Sequence, residues 1–228
     1  MATYLTVTPH HDYVVPDRYG KKHFAEDEEL NKYLNTVRYQ DFFVKNLFEQ
    51  YKELGLYEDT IFILLGDHGE GFDEHGLKQH DNVIYNEGLR IPFFIHDPRR
   101  PKSGTIEAPV NELDVLPTVA DLLGYEIRGG TYPGSSMLSP LEERTLMASC
   151  YHERTCLASI KGDEKYIYHY GNKGEEFFDL SEDPLEKNNI IERQDDEEIK
   201  ALRNHLLAWE AQVGASYEQR LQETTSAE

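Results

Sequence analysis

Lysine and arginine are in short supply: 23 stand against 43 aspartates and glutamates, a formal net charge of −20 over 228 residues. That excludes nucleic acid as a partner, because holding a phosphate backbone takes a basic surface. Cysteine is scarcer, with only Cys150 and Cys156. Two cysteines at this spacing, with no second pair, make neither a zinc knuckle nor a disulfide scaffold. Two free thiols and one incidental pair both remain open, and with them the redox compartment. Long apolar runs are missing: no window approaches the roughly 18 consecutive apolar residues of a membrane segment. The opening "MATYLTVTPHH" lacks the basic start and apolar stretch of a signal peptide. There is no internal repeat and no low-complexity tract. What remains is a globular composition, 39% hydrophobic and long enough for one sizeable domain. Its acidity has a consequence: an anionic substrate must be neutralised locally, most simply by a metal ion.

Apolar periodicity supplies the elements. Residues 3–8 alternate like a strand and lead into the loop "PHHDYVVPDRYG". From Glu28 to Leu54 the apolar positions Leu30, Tyr33, Leu34, Val37, Val44, Leu47, Phe48, Tyr51 and Leu54 keep a helical period, and Gly55 stops it. "TIFILL" and "LRIPFFIHDP" read as strands buried on both faces, as in parallel sheets. "DVLPTVADLLG" reads as a helix capped by Asp114 and ended by Gly124. After the loop "GGTYPGSS" the pattern changes: "TLMASCYHE", "TCLASIKGD", "EKYIYHYG" and "EEFFDLSED" predict a small antiparallel sheet. A last helix carries Ile199, Leu202, Leu206, Trp209 and Val213 on one face, which favours packing on the chain's own sheet over a dimer seam. The fold class is α/β, with residues 1–127 as the main part and residues 128–228 as a small antiparallel-sheet subdomain with a C-terminal helix.

The stretch "TIFILLGDHGEGFDEHG" holds the chemistry. In open α/β sheets ligands bind beyond the carboxyl ends of strands, and here a strand ends in Asp67 and His68. A carboxylate and an imidazole together suit a divalent metal, and Gly66, Gly69 and Gly71 allow close backbone approach. The bland alternative, a loop whose Asp caps backbone N–H groups beside an incidental His, weighs about as much on these residues alone. Glu70, Asp73, Glu74, His75 and His80 follow, and "TPHHDY" supplies His10 and His11 after another expected strand.

The run from Asp59 to Pro98 resembles the sulfatase family of the alkaline phosphatase superfamily, which carries Ser-Asp-His-Gly-Glu, Glu-His-Gly, a basic residue, Tyr-Glu-Glu and Leu-Arg-Val-Pro in that order. "VNELDVLPTVADLLGY" is similar to its Asp-x-x-Pro-Thr helix, and "FFDLSEDPLEKNNI" to its C-terminal turn. The resemblance implies part of an alkaline-phosphatase-like sheet flanked by helices. It implies Asp67 and His68 as metal ligands, for Ca, Mn or Zn, and His10 as a contact to the ester group. His80 stands where the family has a basic residue contacting the same group, and Arg90 matches the structural arginine. His10 and His80 are the implied catalytic residues. Asp12 replaces the proline of His-x-Pro-Tyr, so His11 competes with His10 for substrate.

In the family the nucleophile, a Cys or Ser converted to formylglycine or a Thr or Ser in phosphate-transferring relatives, precedes the His-x-Pro-Tyr loop together with the first metal carboxylates. That motif is not found in these residues; "CLAS" at 156–159 has Ile160 in place of arginine. The chain therefore reads as a C-terminal fragment of a metal-dependent sulfuric ester hydrolase, inactive alone and in need of its N-terminal half. The alternatives are a phosphonate or phosphodiester hydrolase or phosphotransferase of the superfamily, and a non-catalytic remnant. The expected substrate is a small anionic ester.

Overall fold

A computed structural model describes residues 1–100, 103–129, 132–141, 143–150, 155–171 and 173–225. The α/β chain divides into two compact units, Met1–Gly66 with Pro92–Gly104, and Asp67–Ile91 with Thr105–Glu228.

The first unit is built on helix α1, Glu28–Glu53. Asp27 caps it by accepting from Leu30 N at 2.7 Å, and Gly55 at φ 67° ends it, as the periodicity predicts. Strands β1 (Phe62–Leu65) and, later in the chain, β4 (Phe93–His96) form a two-stranded sheet. Phe48 of α1 packs on Phe62 at 4.5 Å between ring centroids and Tyr51 packs on it at 5.2 Å, while Tyr57 Oη lies 2.6 Å from His96 Nε2.

Two expectations fail in this unit. Residues 3–8 form no strand; Leu5 and Val7 are largely exposed, and alternation without a ladder partner leaves the backbone polar groups to solvent. β1 and β4 pair antiparallel, Phe62 opposite His96 and Leu64 opposite Phe94, and they are not buried on both faces. The aromatic side of α1 covers the Phe62–His96 end, whereas Phe94 on the same face is 64% exposed.

The second unit opens with a tight hairpin, β2 (Gly71–Phe72) against β3 (Lys78–Gln79), then the one-turn helix α2 (Asn86–Leu89). Helix α3, Val115–Leu122, ends at Gly124 (φ 73°). Asp114 does not cap it through its side chain: its fully buried carboxylate takes Asn111 N, Ser135 N and the Arg144 guanidinium instead. The charge of Arg144 outweighs a single amide.

Strands β5 (Thr145–Ser149), β6 (Cys156–Lys161), β7 (Glu164–His169) and β8 (Glu176–Asp179) make the expected antiparallel meander. Residues 151–153 of the first expected strand and 130–131 of the expected loop lie outside the described residues. Both faces are covered. Cys156, Ala158, Ile167 and Phe178 pack under Val83, Ile84 and Tyr85, and Leu157, Tyr166 and Phe177 pack against helix α4 (Asp196–Thr225). Ile199, Leu202, Leu206 and Trp209 make that contact, so the helix packs on its own sheet; Val213 is 37% exposed. Cys150 and Cys156 form a disulfide with Cα atoms 5.2 Å apart. Among the described residues no helix is long and apolar enough to cross a membrane.

Candidate active site

His80 comes back to Asp67 and His68 because of a register. Gly71 pairs with Gln79 across the β2–β3 hairpin, so Glu70 and His80, one step further out, face each other. His80 Nδ1 then donates to Glu70 Oε1 at 3.1 Å, and the Glu70 side chain is only 5% exposed. Gln79 sits at φ 63°, in the left-handed region, immediately before His80. The imidazole of His80 lies on that of His68, centroids 3.9 Å apart and planes 23° apart. Asp81 Oδ1 is 3.8 Å from His80 Nε2.

The backbone at Asp67–Gly69 is pinned. Gly69 N donates to Gly88 O at 2.8 Å, and a Cβ on Gly69 would stand 1.9 Å from Glu87 O, so only glycine fits between these main chains. His68 Nδ1 donates to Gly69 O at 2.7 Å. A carbonyl only accepts, so in the neutral ring the lone pair is on Nε2. That nitrogen is 3.8 Å from Asp67 Oδ2, and both side chains are well exposed. Asp67 Oδ1 also accepts His68 N at 3.1 Å, the backbone cap of the bland reading.

Glu112, which the sequence did not single out, belongs to the same neighbourhood. Partial burial and the Asp67 carboxylate push its carboxyl up, and His68 offsets part of that rise. It lies just before α3, and nothing in its local sequence marks it.

The donor set fits a divalent cation in part. An Nε2 lone pair and a carboxylate oxygen 3.8 Å apart can share one ion, but a closed site takes about four donors. Among the described residues no group of three or more His, Cys, Asp or Glu could hold a metal.

His75 is not in this cluster. It stacks flat on Tyr85 at 3.8 Å and 7°, with Nδ1 at 2.6 Å from Glu87 Oε1 and Nε2 at 3.0 Å from Glu186 O. Asp73 and Glu74 build the hairpin tip, Glu74 accepting Phe72 N. A cavity of about 330 Å³ bounded by Glu74, His75, Glu186 and Lys187 includes none of Asp67, His68 and His80. Exposed Arg90 ends α2, its N–H on Asn86 O at 2.8 Å. His10 and His11 belong to the first unit. There His10 Nδ1 donates to His11 O at 2.7 Å, while His11 pairs with Asp12 at 3.0 Å and lies edge-on to buried Tyr13.

Set against known proteins, residues 1–125 match the family model described as Sulfatase. The chain is 27% identical over 215 residues to the lipoteichoic acid synthase-like YvgJ of Bacillus subtilis (strain 168), covering 79% of this chain and 33% of that protein. It is 28% identical over 188 residues to an arylsulfatase of Clostridium perfringens (strain 13 / Type A), covering 77% and 38%. Among solved structures, a 2-O GAG sulfatase matches with a TM-score of 0.65 at 20% identity, over 85% of this chain and 44% of that one. The chain thus spans about a third of the length of the curated relatives it matches.

Proposed function

From the premise that this chain belongs to the sulfatase family, we propose that it carries metal- and ester-contacting residues of a sulfuric ester hydrolase. The observation that carries this reading is the placement of His80 on His68, beside Asp67, by the hairpin register. Asp67 and His68 would hold a divalent cation, Ca, Mn or Zn, which would offset the negative charge of a sulfuryl group and the surrounding carboxylates. His80 acts on the ester itself. With Nδ1–H given to Glu70 the ring is fixed, and a second proton on Nε2 makes it a donor to a sulfuryl or leaving-group oxygen. His10 is proposed as a further contact to the same group, with His11 its competitor because Asp12 replaces the proline of the family's loop. Catalysis requires the nucleophile and remaining metal donors that the family supplies from sequence preceding this region.

The test is His80→Ala in a catalytically competent protein containing this chain. Turnover of an aryl sulfate should fall by about 10²-fold or more while metal content stays constant. Loss of metal together with activity would reassign His80 as a ligand. A second reading, a phosphoester-processing member of the superfamily, is favoured by the relative named as lipoteichoic acid synthase-like. Preferential turnover of a phosphodiester over an aryl sulfate decides for it.

A further inference from the structure

Besides Asp114, two further fully buried charges of the second unit form a pair outside the Asp67–His68 cluster. Lys165 on β7 and Glu186 in the turn after β8 are ion-paired with side chains 0% exposed. Burial pulls the Lys165 ammonium below the usual lysine value, and the Glu186 charge opposes that shift. Such a pair is weak evidence for stability, since well-packed apolar residues often replace one at no loss. Its position needs another explanation.

Glu186 reaches toward the candidate site. One carboxylate oxygen accepts Asn86 N, the first N–H of α2, at 2.5 Å, and Tyr85 at the helix N-cap makes no side-chain capping bond. The same turn makes two more bonds to this segment. Pro184 O takes Asn86 Nδ2 at 3.1 Å, and Glu186 O takes His75 Nε2 at 3.0 Å. At its other end α2 presents Gly88 O to Gly69 N at 2.8 Å, and Gly69 O receives His68 Nδ1 at 2.7 Å. With a Gly69 Cβ excluded by Glu87 O at 1.9 Å, α2 and Gly69 have no slack between them.

We propose that Glu186 is a positioning residue for Asp67 and His68, acting through Asn86, α2 and Gly69, so that the C-terminal sheet sets the geometry of the candidate metal site. The metal-affinity part of this inference rests on Asp67 and His68 being ligands; the positioning part does not. Lys165 offsets the buried carboxylate, and the hydrogen bond to Asn86 N transmits position.

Two double variants of the full chain separate bond from charge. Lys165→Met with Glu186→Gln removes both charges and keeps an acceptor for Asn86 N. Lys165→Met with Glu186→Leu removes the acceptor as well. In the Leu variant the Gly69 amide should exchange about tenfold faster and Mn²⁺ affinity should fall about tenfold, while β6 and β7 amides stay protected. The Gln variant should stay within about twofold of the unmodified chain on both readouts. Unchanged Gly69 exchange in the Leu variant, or equal losses in both variants, overturns the proposal. If the Leu variant does not fold, the unmodified chain decides: in graded denaturant the Asn86 and Gly69 amides should open at one rate, and separate openings contradict the link. Should Asp67→Ala leave Mn²⁺ binding intact, the metal reading falls and the exchange data alone judge the positioning.

Discussion

The ring of His80 lies on that of His68, 3.9 Å between centroids, and Glu70 holds His80 in place through Nδ1 at 3.1 Å. Ten sequence positions separate Glu70 from His80, and the β2–β3 hairpin closes that gap. Asp67 supplies a carboxylate 3.8 Å from His68 Nε2 on the same short segment. A fixed imidazole beside a carboxylate–imidazole pair is the arrangement on which the proposed ester chemistry rests.

Removing Glu70 should therefore release His80 without unfolding the sheet. Glu70→Ala is expected to abolish the mutual ring-current shifts of the His68 and His80 protons in NMR spectra. Glu70→Gln, whose side-chain carbonyl still accepts from Nδ1, should preserve them. Shifts that persist in the Ala variant would mean that the stack does not depend on Glu70.

Gly69 admits no side chain. In Gly69→Ala the new Cβ would meet Glu87 O at 1.9 Å and Glu87 C at 2.8 Å, both backbone atoms. The variant should lose about 2–3 kcal/mol of stability in urea unfolding, and Mn²⁺ binding should weaken. A stability change below about 0.5 kcal/mol would show that α2 can move aside.

Acid should weaken the second unit through Glu176. Burial raises its pKa, but hydrogen bonds from His169, Lys173 and Tyr85 prevail and hold it at about 2, against an ordinary 4.5. The folded state thus binds fewer protons than the unfolded one in this range. Stability is fully present above about pH 4.5 and is lost as the pH falls toward 2. The loss amounts to at most about 3 kcal/mol. Unfolding at pH 5 and pH 3 should show this slope, and Glu176→Gln should flatten it. An equal slope in both proteins would assign the acid sensitivity elsewhere.

The helix α4 contact is also open to measurement. Leu206 is 0% exposed within the cluster against Leu157, Tyr166 and Phe177. Leu206→Ala should cost about 2–5 kcal/mol, whereas Val213→Ala, at a position 37% exposed, should cost under about 1 kcal/mol. Equal costs would contradict packing on the chain's own sheet.

Elements whose reasons are local were legible in the sequence. α1 has its apolar period, Asp27 and Gly55; the C-terminal meander has alternation and turn residues. Where a reason lies in a distant partner, sequence was silent or misled. Residues 3–8 alternate yet have no ladder, and "TIFILL" gives no sign that it pairs antiparallel with Phe93–His96. Asp114 resembles a cap until Arg144 arrives from β5's edge. Asp67, His68 and His80 stood out by motif, but the two-residue strands of the hairpin that brings His80 to His68 are not among the elements the sequence predicts. His75 belongs to the same run of acidic and histidine residues as His80. Only the hairpin register and the turn at Glu186 send one to His68 and the other to Tyr85.

The central claim, that Asp67 and His68 are metal donors, is tested most directly by Mn²⁺ titration of the purified chain followed by electron paramagnetic resonance. The unmodified chain should bind weakly, as a two-donor site does. Asp67→Ala and His68→Ala should each weaken binding by about tenfold or more with the circular dichroism spectrum retained, since each removes a direct bond to the ion. Mn²⁺ affinity and stoichiometry unchanged in both variants would contradict the claim.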